Sequence, residues 1–239
     1  RARYFPRPGE TMHESARREA AAVRKSVGMI DVSTFGKIDL QGPDVGKFLD
    51  RVYVNTYSKV PVGKARYGVM LREDGMVMDD GTTAHLKENH WVMTTTTVHA
   101  VKVFSHLEFC LQVLWPDLDV RIASISEQWA QIALAGPNAR KVLQKILDEP
   151  ARVANDVFPA MGAIETTALG GIAARVCRFS FSGELGFEVA VPARYGEKLA
   201  EAMMAAGKEY DITPYGTEAL AVMRIEKGHV SGPEVNGQT

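Results

Sequence analysis

Residues 38–49 read IDLQGPDVGKFL and residues 132–143 read IALAGPNARKVL, so one short pattern occurs twice in the chain. Each copy begins with strand-like residues, breaks at Gly-Pro and continues with paired apolar residues that favour a helix. Proline suits the first turn of a helix, and the side chain of Asp44 or Asn138 can accept hydrogen bonds from free N–H groups there. Because Gly-Pro-Asx is a common helix start, chance similarity is the alternative. The ordered matches favour an internal repeat of a strand–turn–helix unit.

Similar elements follow each copy of the pattern. After the first copy, residues 66–97 predict an antiparallel meander and residues 98–114 predict a helix. After the second copy, the predicted elements are a hairpin around Gly170 and Gly171, a strand at 187–191 and helices at 195–210 and 217–227. The chain is therefore predicted to have an α+β fold with two pseudo-symmetric, ferredoxin-like lobes built on antiparallel sheets.

Three parts are predicted along the chain. They are an N-terminal segment and helix at 1–29, a first repeat lobe at 30–125 and a second repeat lobe at 126–239, with the lobes interleaved in space. The chain begins with Arg1 rather than Met and ends at Thr239 without a closing element. We therefore expect it to be a piece of a longer protein.

Composition excludes several classes of partner. The net charge of −1 argues against a nucleic-acid partner, since such domains usually carry a basic excess. No run of 18 apolar residues and no signal peptide are visible, so no membrane partner is expected. Cys110 and Cys177 lie in apolar segments, which favours free thiols in a reducing, cytoplasmic compartment. The six His residues are scattered, so no metal site is predicted.

Asp79 and Asp80 are the most informative carboxylates. They follow Met78 inside a predicted strand, where Asp is disfavoured because its side chain competes for backbone hydrogen bonds. Neighbouring strand residues point to opposite faces, so one of the two can face a packed side or a cleft, where burial raises the pKa of a carboxyl group. The alternative is a bulge or turn at Asp80-Gly81 with both carboxylates in solvent.

Two further charged residues stand out in apolar surroundings. Glu188 lies in the run FEVAV, and a buried carboxylate there would need N–H donors such as those of an amino-pyrimidine ring. The alternative is an edge strand with Glu188 pointing outward. Arg224 lies between Met223 and Ile225, and is either an ordinary helix-surface residue or an anchor for a ligand carboxylate.

Taken in order, five segments resemble those of the folate-binding aminomethyltransferase family, which includes the T-protein of the glycine cleavage system. The segments are MIDVS with IDLQGP (from residue 29), DGMVMDD (from 74), ALAGPNA (from 133), FSGELGFE (from 181) and RIEKG (from 224). Within that family, residues 214–220, residues 226–239 and the threonine run at 94–97 look most like the branch formed by the alpha subunits of heterotetrameric sarcosine oxidases.

The resemblance implies a function. Sarcosine would be oxidised at a flavin on another part of the complex, and flavin and NAD are expected there rather than on this chain. The resulting imine or formaldehyde would reach tetrahydrofolate held by this chain and become 5,10-methylenetetrahydrofolate. Other sarcosine oxidase subunits are the implied partners.

The resemblance also implies roles for particular residues. Asp79 would be the catalytic carboxylate near the reacting nitrogens. Glu188 would hold the amino-pterin ring, and Arg224 would bind the folate tail or orient Asp79. The remaining predicted pocket residues are Tyr67, Met70, Thr96 and Phe181.

Two departures from the family accompany these roles. Phe181 stands where relatives often have Tyr, so a hydroxyl contact is lost. The family also has a C-terminal β-barrel domain, and this chain is expected to lack it. Two other functions stay open: a stand-alone aminomethyltransferase that acts on a lipoyl carrier protein, and a folate-binding module without chemistry.

Overall fold

The computed structural model describes residues 2–231, 234–235 and 237. Arg1, Gly232, Pro233, Asn236, Gln238 and Thr239 lie outside the described residues, and the last five belong to the C-terminal segment that carries part of the resemblance. The chain divides into two compact units. One, the six-stranded unit, combines Arg1–Ser33 with Gln128–His229, and the other, the five-stranded unit, combines Thr34–Glu127 with Val230–Thr239.

Six α-helices and eleven strands lie within the described residues. The helices are α1 (Met12–Lys25), α2 (Val45–Val52), α3 (Ala100–Phe109), α4 (Ala139–Ile146), α5 (Gly196–Gly207) and α6 (Thr217–Lys227). The strands are β1 (Gly28–Asp31), β2 (Gly36–Gln41), β3 (Lys64–Leu71), β4 (Val77–Lys87), β5 (His90–Thr95), β6 (Arg121–Ser124), β7 (Trp129–Ala135), β8 (Ala163–Ala168), β9 (Ile172–Cys177), β10 (Gly186–Pro192) and β11 (Thr213–Pro214).

In the five-stranded unit, the sheet order is β3-β4-β5-β2-β6, and every paired strand is antiparallel to its neighbour. Helices α2 and α3 cover one face, where Leu40, Phe48, Met93 and Leu107 share a buried core. The run β2-α2-β4-β5-α3-β6 has the ferredoxin-like arrangement, and β3 adds an edge strand to it.

The six-stranded unit repeats this plan with one strand inserted. Its order is β11-β1-β7-β10-β9-β8, with antiparallel neighbours except for the parallel pair β1 and β11. Helices α4 and α5 cover one face, where Leu134, Leu143, Val189 and Leu199 form the core. Strand β1 stands between β7 and β11, at the position where β2 and β6 are direct neighbours in the other unit. The prediction of two pseudo-symmetric lobes on antiparallel sheets is confirmed.

The two Gly-Pro turns have the same backbone conformation. Gly42 and Gly136 have φ of 136° and 128°, and each is followed by an eight-residue helix, α2 or α4. The predicted capping hydrogen bond is wrong in both copies, because neither Asx side chain caps its helix. Asp44 instead accepts from the backbone N–H of Asp119 at 3.1 Å, and Asn138 donates to the Ser26 hydroxyl at 3.1 Å. These side chains fasten each turn to a neighbouring segment.

The observed division of the chain differs from the predicted parts 1–29, 30–125 and 126–239. Strand β1 pairs with β7 along its whole length and with β11 at its start, so the N-terminal residues up to Ser33 join the sheet of the second repeat. The predicted helix at 98–114 is helical over its whole length, but its hydrogen-bond pattern changes along the chain. A 3-10 turn at Thr97–His99 precedes α3, and a π-helical turn at Cys110–Leu114 follows it.

Candidate functional site

A β-bulge determines where the two adjacent carboxylates point. Met70 pairs with Asp79, and Leu71 pairs with Val77, so Met78 is the extra residue of β4. A bulge of this kind turns two consecutive side chains toward one face. Met78 and Asp79 are accordingly both buried, and Met78 packs with Met70 in the helix-covered core. Asp80 lies on the opposite face of the same sheet.

Asp79 is held by the segment that leads into α3. Its Oδ1 accepts from the Thr96 hydroxyl at 2.6 Å and lies 3.2 Å from His99 Nδ1, and its Oδ2 accepts from the Thr96 backbone N–H at 3.1 Å. Only 5% of Asp79 is exposed. Burial raises the pKa of Asp79 above its ordinary value, while the hydrogen bonds from Thr96 and His99 act in the opposite direction.

Asp80 has a phenol as partner. The Tyr67 hydroxyl donates to Asp80 Oδ2 at 2.9 Å. Strand register places both on the face away from the helices, since Tyr67 pairs with Thr82 and Val69 pairs with Asp80. Burial, followed by the nearby Asp80 charge, raises the pKa of Tyr67 well above its ordinary value. The phenol therefore stays protonated at neutral pH and remains a donor to the half-buried carboxylate.

The structure separates the residues predicted to line one pocket around Asp79. Met70 and Thr96 lie with Asp79 on the helix-covered face. Tyr67 lies with Asp80 on the other face, because strand residues alternate in direction. The alternative in which both carboxylates are solvated is wrong, since Asp79 is buried and Asp80 is half-buried.

Glu188 lies in the interior of the other sheet. Strand β10 is flanked by β7 and β9, and Glu188 pairs with Ala133 and Cys177, so the edge-strand alternative is wrong. Its neighbours Phe187 and Val189 point into the helix-covered core, which places Glu188 on the opposite face. Glu188 is half-buried and accepts from Gln131 Nε2 at 2.5 Å. Burial, and after it the Glu188 charge, raises the pKa of Cys177, so this thiol stays protonated.

Arg224 and Phe181 both contact His229, which follows the end of α6. Arg224 Nη1 donates to the backbone carbonyl of His229 at 2.8 Å. The Phe181 ring is 39% exposed and packs edge-on against the His229 ring, with ring centroids 5.2 Å apart. These two predicted residues therefore share one partner in the six-stranded unit, to which Glu188 on β10 also belongs.

Sequence reasoning missed three residues that organise these groups. His99 contacts Asp79, and its only sequence signal is a position just after the threonine run. Gln131 contacts Glu188 from the neighbouring strand β7. Arg24, in the last turn of α1, contacts Glu184 and Glu226, which are distant in sequence and give no local signal.

Other kinds of site were searched among the described residues. No group of three or more His, Cys, Asp or Glu side chains there is arranged to hold a metal ion. No helix in the described part of the chain has the length and apolarity needed to cross a membrane.

Comparison with known proteins assigns the family. The GCVT N-terminal domain family matches residues 1–239. Sarcosine oxidase subunit alpha of Rhizobium meliloti (strain 1021) is 57% identical over 99% of this chain, which spans 24% of that subunit. Aminomethyltransferase of Listeria monocytogenes serotype 4a (strain HCC23) is 31% identical over 87% of this chain and 54% of its own length.

Solved structures agree on the fold. Aminomethyltransferase T of the glycine cleavage system from Bartonella henselae superposes on the whole chain with a TM-score of 0.80 at 22% identity, and 62% of that chain is covered. A chain of heterotetrameric sarcosine oxidase from Corynebacterium sp. U-96 matches 82% of this chain with a TM-score of 0.57 at 15% identity. The predicted aminomethyltransferase fold is confirmed, and the chain belongs to the GCVT N-terminal domain family.

Proposed function

We propose that this chain is the tetrahydrofolate-binding, one-carbon-accepting part of a sarcosine oxidase alpha subunit. Its role would be to convert the imine or formaldehyde from sarcosine oxidation to 5,10-methylenetetrahydrofolate. The 57% identity to such a subunit supports this assignment. Since the chain spans about a quarter of that subunit, flavin, NAD and the other subunits belong to the rest of the complex in this proposal. A cytoplasmic location is part of the same proposal.

The carboxylates of the chain suit a folate. An amino-pterin ring presents adjacent N–H donors, and an ionised carboxylate accepts up to about four hydrogen bonds. Glu188 lies half-buried on the sheet face away from the core, so it can take ring donors alongside Gln131. Arg224 and Phe181, at the end of α6, supply a cation and an exposed ring in the same unit. We assign these residues to binding.

The observation that supports the chemistry best is the pair of carboxylates on opposite faces of β4. Asp79 is 5% exposed and its oxygens accept from Thr96 and lie beside His99. This geometry favours a positioning role for Asp79, to which the family resemblance assigned the catalytic role. Asp80 is more accessible and has the Tyr67 hydroxyl beside it. We therefore propose Asp80 as the carboxylate that meets the reacting atoms, with Asp79 fixing the strand.

The nitrogens of tetrahydrofolate and a neighbouring carboxylate have complementary chemistry. Tetrahydrofolate supplies the nitrogens that take up the one-carbon unit. A carboxylate next to them stabilises positive charge and accepts the proton that nitrogen loses. The Tyr67 hydroxyl orients Asp80 Oδ2 by donating to it. Asp79 keeps the bulge in place through its contacts with Thr96.

Variants in the complete enzyme test these assignments. Asp80→Asn should cut the methylenetetrahydrofolate formed per sarcosine oxidised by about 100-fold, as expected for a general acid–base residue, and should leave flavin reduction unchanged. Asp79→Asn should lower the product yield less than Asp80→Asn does, and it should lower the melting temperature more. Asp39→Asn is the matched control, because Asp39 pairs with His90 at 2.7 Å in the same sheet. The control should leave the product yield unchanged.

Each result of these experiments would support a different assignment. A large loss in Asp79→Asn with normal yield in Asp80→Asn would return the catalytic role to Asp79. Unchanged yield in both variants would overturn the assignment to this pair. A wild-type enzyme that shows no thermal shift with tetrahydrofolate would exclude folate binding.

The second candidate function is that of a stand-alone aminomethyltransferase, which the 31% identity to such enzymes supports. It predicts transfer from an aminomethylated lipoyl carrier protein to tetrahydrofolate without any sarcosine. A folate-binding module without chemistry predicts binding of tetrahydrofolate and normal behaviour of both aspartate variants. Assays with sarcosine and with the carrier protein therefore separate the first two functions, and the aspartate variants separate both of them from the third.

A further inference from the structure

One arginine joins the two segments that carry the binding residues of the six-stranded unit. Arg24 Nη1 donates to the Ser182 carbonyl at 2.7 Å and to Glu184 Oε1 at 3.0 Å. Its Nη2 donates to Glu226 Oε2 at 2.8 Å and to the Met223 carbonyl at 3.3 Å. A single guanidinium thus bridges the turn before β10 and the last turns of α6.

Both bridged segments continue directly into proposed binding residues. The turn at 182–185 leads into β10, which carries Glu188, and Phe181 begins the same turn. The last two turns of α6 carry Arg224. A second cation connects α6 to the chain just before this turn, because Lys227 Nζ donates to the Ser180 carbonyl. A shift of the turn relative to α6 would therefore change the spacing between Glu188, Phe181 and Arg224.

The turn packs against both of these cationic side chains. Gly183 has φ of +87°, in the region that favours glycine, and the position of an added Cβ would be 3.4 Å from Arg24 Nη1 and 3.4 Å from Lys227 Cβ. Arginine suits such a junction because its planar fork offers five N–H donors in fixed directions, whereas lysine offers one point charge. Arg24 is 30% exposed in its side chain, so the junction is partly shielded from water.

We infer that Arg24 is a positioning residue for ligand binding, and that it sets the distance between the Phe181–Glu188 segment and Arg224. This inference rests on the proposed function, since the ligand is the folate assigned above. Arg24 itself contacts protein groups on both sides, so its loss should change affinity rather than the chemical step.

Arg18 provides a matched control. It lies on the same helix, pairs with Glu10 through Nε at 2.7 Å and Nη2 at 2.7 Å, and donates to the Phe5 carbonyl at 2.7 Å. It has no contact with the turn at 182–185 or with α6 among these hydrogen bonds. A change seen in Arg24→Met and absent in Arg18→Met therefore reports on the junction rather than on the loss of an arginine from α1.

The test uses the complete enzyme with tetrahydrofolate as the probe. Arg24→Met should raise KM for tetrahydrofolate by about tenfold or more while kcat changes less than twofold, as expected for the loss of charge-assisted hydrogen bonds that orient binding groups. Arg24→Lys should restore little of the affinity, because lysine cannot reach four acceptors. Arg18→Met should leave KM within twofold of wild type.

A second measurement needs no ligand. Hydrogen exchange should accelerate at residues 181–186 and 223–229 in Arg24→Met and should be unchanged there in Arg18→Met. If wild type fails to bind tetrahydrofolate, the proposed function fails, and this measurement still decides whether Arg24 fixes the two segments. Equal KM changes in Arg24→Met and Arg18→Met, or unchanged exchange in both segments, would overturn the inference.

Discussion

At the scale of single residues, the extra Met78 in β4 has the largest effect on the site. Without this bulge, strict alternation would put Asp79 and Met78 on opposite faces. With it, Met78 and Asp79 share the helix-covered face and Asp80 turns to the other. One inserted residue therefore gives two adjacent carboxylates two different environments, one set by burial and the Thr96 contacts and the other by the Tyr67 hydroxyl.

Asp79 should make the stability of the chain depend on pH. Its folded-state pKa is raised, so its contribution is most favourable below the ordinary Asp pKa and declines as pH rises through the folded value. Asp79→Asn has no such titration. The difference in unfolding free energy, variant minus wild type, should therefore become more positive as pH rises from about 4 to neutral, as measured by urea unfolding.

Thr96→Val tests the same pH dependence in a second way. Loss of the hydroxyl that donates to Asp79 Oδ1 removes a group that lowers the pKa of Asp79, so the pH-dependent decline should extend to higher pH. Parallel stability curves for wild type and Asp79→Asn across this range would show that Asp79 keeps an ordinary pKa in the folded chain.

Much of the site's geometry at the level of single residues could not be predicted from the sequence. The presence of carboxylates at Asp79, Asp80 and Glu188 in apolar runs was visible, because polar residues in strands are unusual. Their directions were not, because a bulge shifts register without leaving a signal in the pattern. The partners His99 and Gln131 come from other elements, and contacts of that kind depend on the packing of the whole sheet.

At the scale of elements, the repeated Gly-Pro turn is the feature that sequence reasoning located best. Both copies form a strand, a turn and a helix of eight residues, α2 and α4. The glycine is needed for two reasons, a positive φ and close approach of another backbone. A Cβ on Gly42 would lie 2.0 Å from the Asp119 carbonyl, and one on Gly136 would lie 2.4 Å from the Ser26 carbonyl.

Gly136→Ala should destabilise the chain more than a glycine change that adds strain alone. Gly171 has φ of +101° and no heavy atom within 4 Å of an added Cβ, so Gly171→Ala measures the cost of the backbone conformation. That cost is about 1–3 kcal/mol. Gly136→Ala adds a backbone clash and should cost at least about 2 kcal/mol more in urea unfolding. Equal losses would mean that the turn moves to accommodate the methyl group.

The hairpin at Gly170 and the helix α6 were also located from the local pattern, and in the structure Gly228 ends α6 with a φ of 77°. The position of β1 was not predictable in the same way. Its four residues, Gly28–Asp31, have no periodicity of their own, and their partners β7 and β11 follow about 100 and 180 residues later. The position of β1 in the sheet is therefore determined by pairing with strands that are distant in sequence.

At the scale of the whole molecule, the chain has two separate cores. Leu49 and Leu143 are equivalent residues of the two repeats, each with 0% exposure, and each lies in the core of its own unit. Each unit has its own sheet and its own covering helices. Local stability is therefore expected to differ between the units.

Leu49→Ala and Leu143→Ala should show this independence. Each substitution removes a buried side chain and should cost about 2–5 kcal/mol. Hydrogen exchange should accelerate mainly within the five-stranded unit for Leu49→Ala and mainly within the six-stranded unit for Leu143→Ala. Uniform acceleration across both units in either variant would show that they open together.

The inserted strand β1 has a consequence for synthesis of the chain. Residues 28–31 leave the ribosome before their partner β7, which begins at Trp129. At about 5–20 residues per second, roughly 5–20 s pass before that partner exists. During this interval the five-stranded unit can complete the sheet formed by residues 34–127, while α1 and β1 wait with their apolar residues uncovered. The segment from α1 to β1 therefore waits longer for its sheet partners than the strands of the five-stranded unit do.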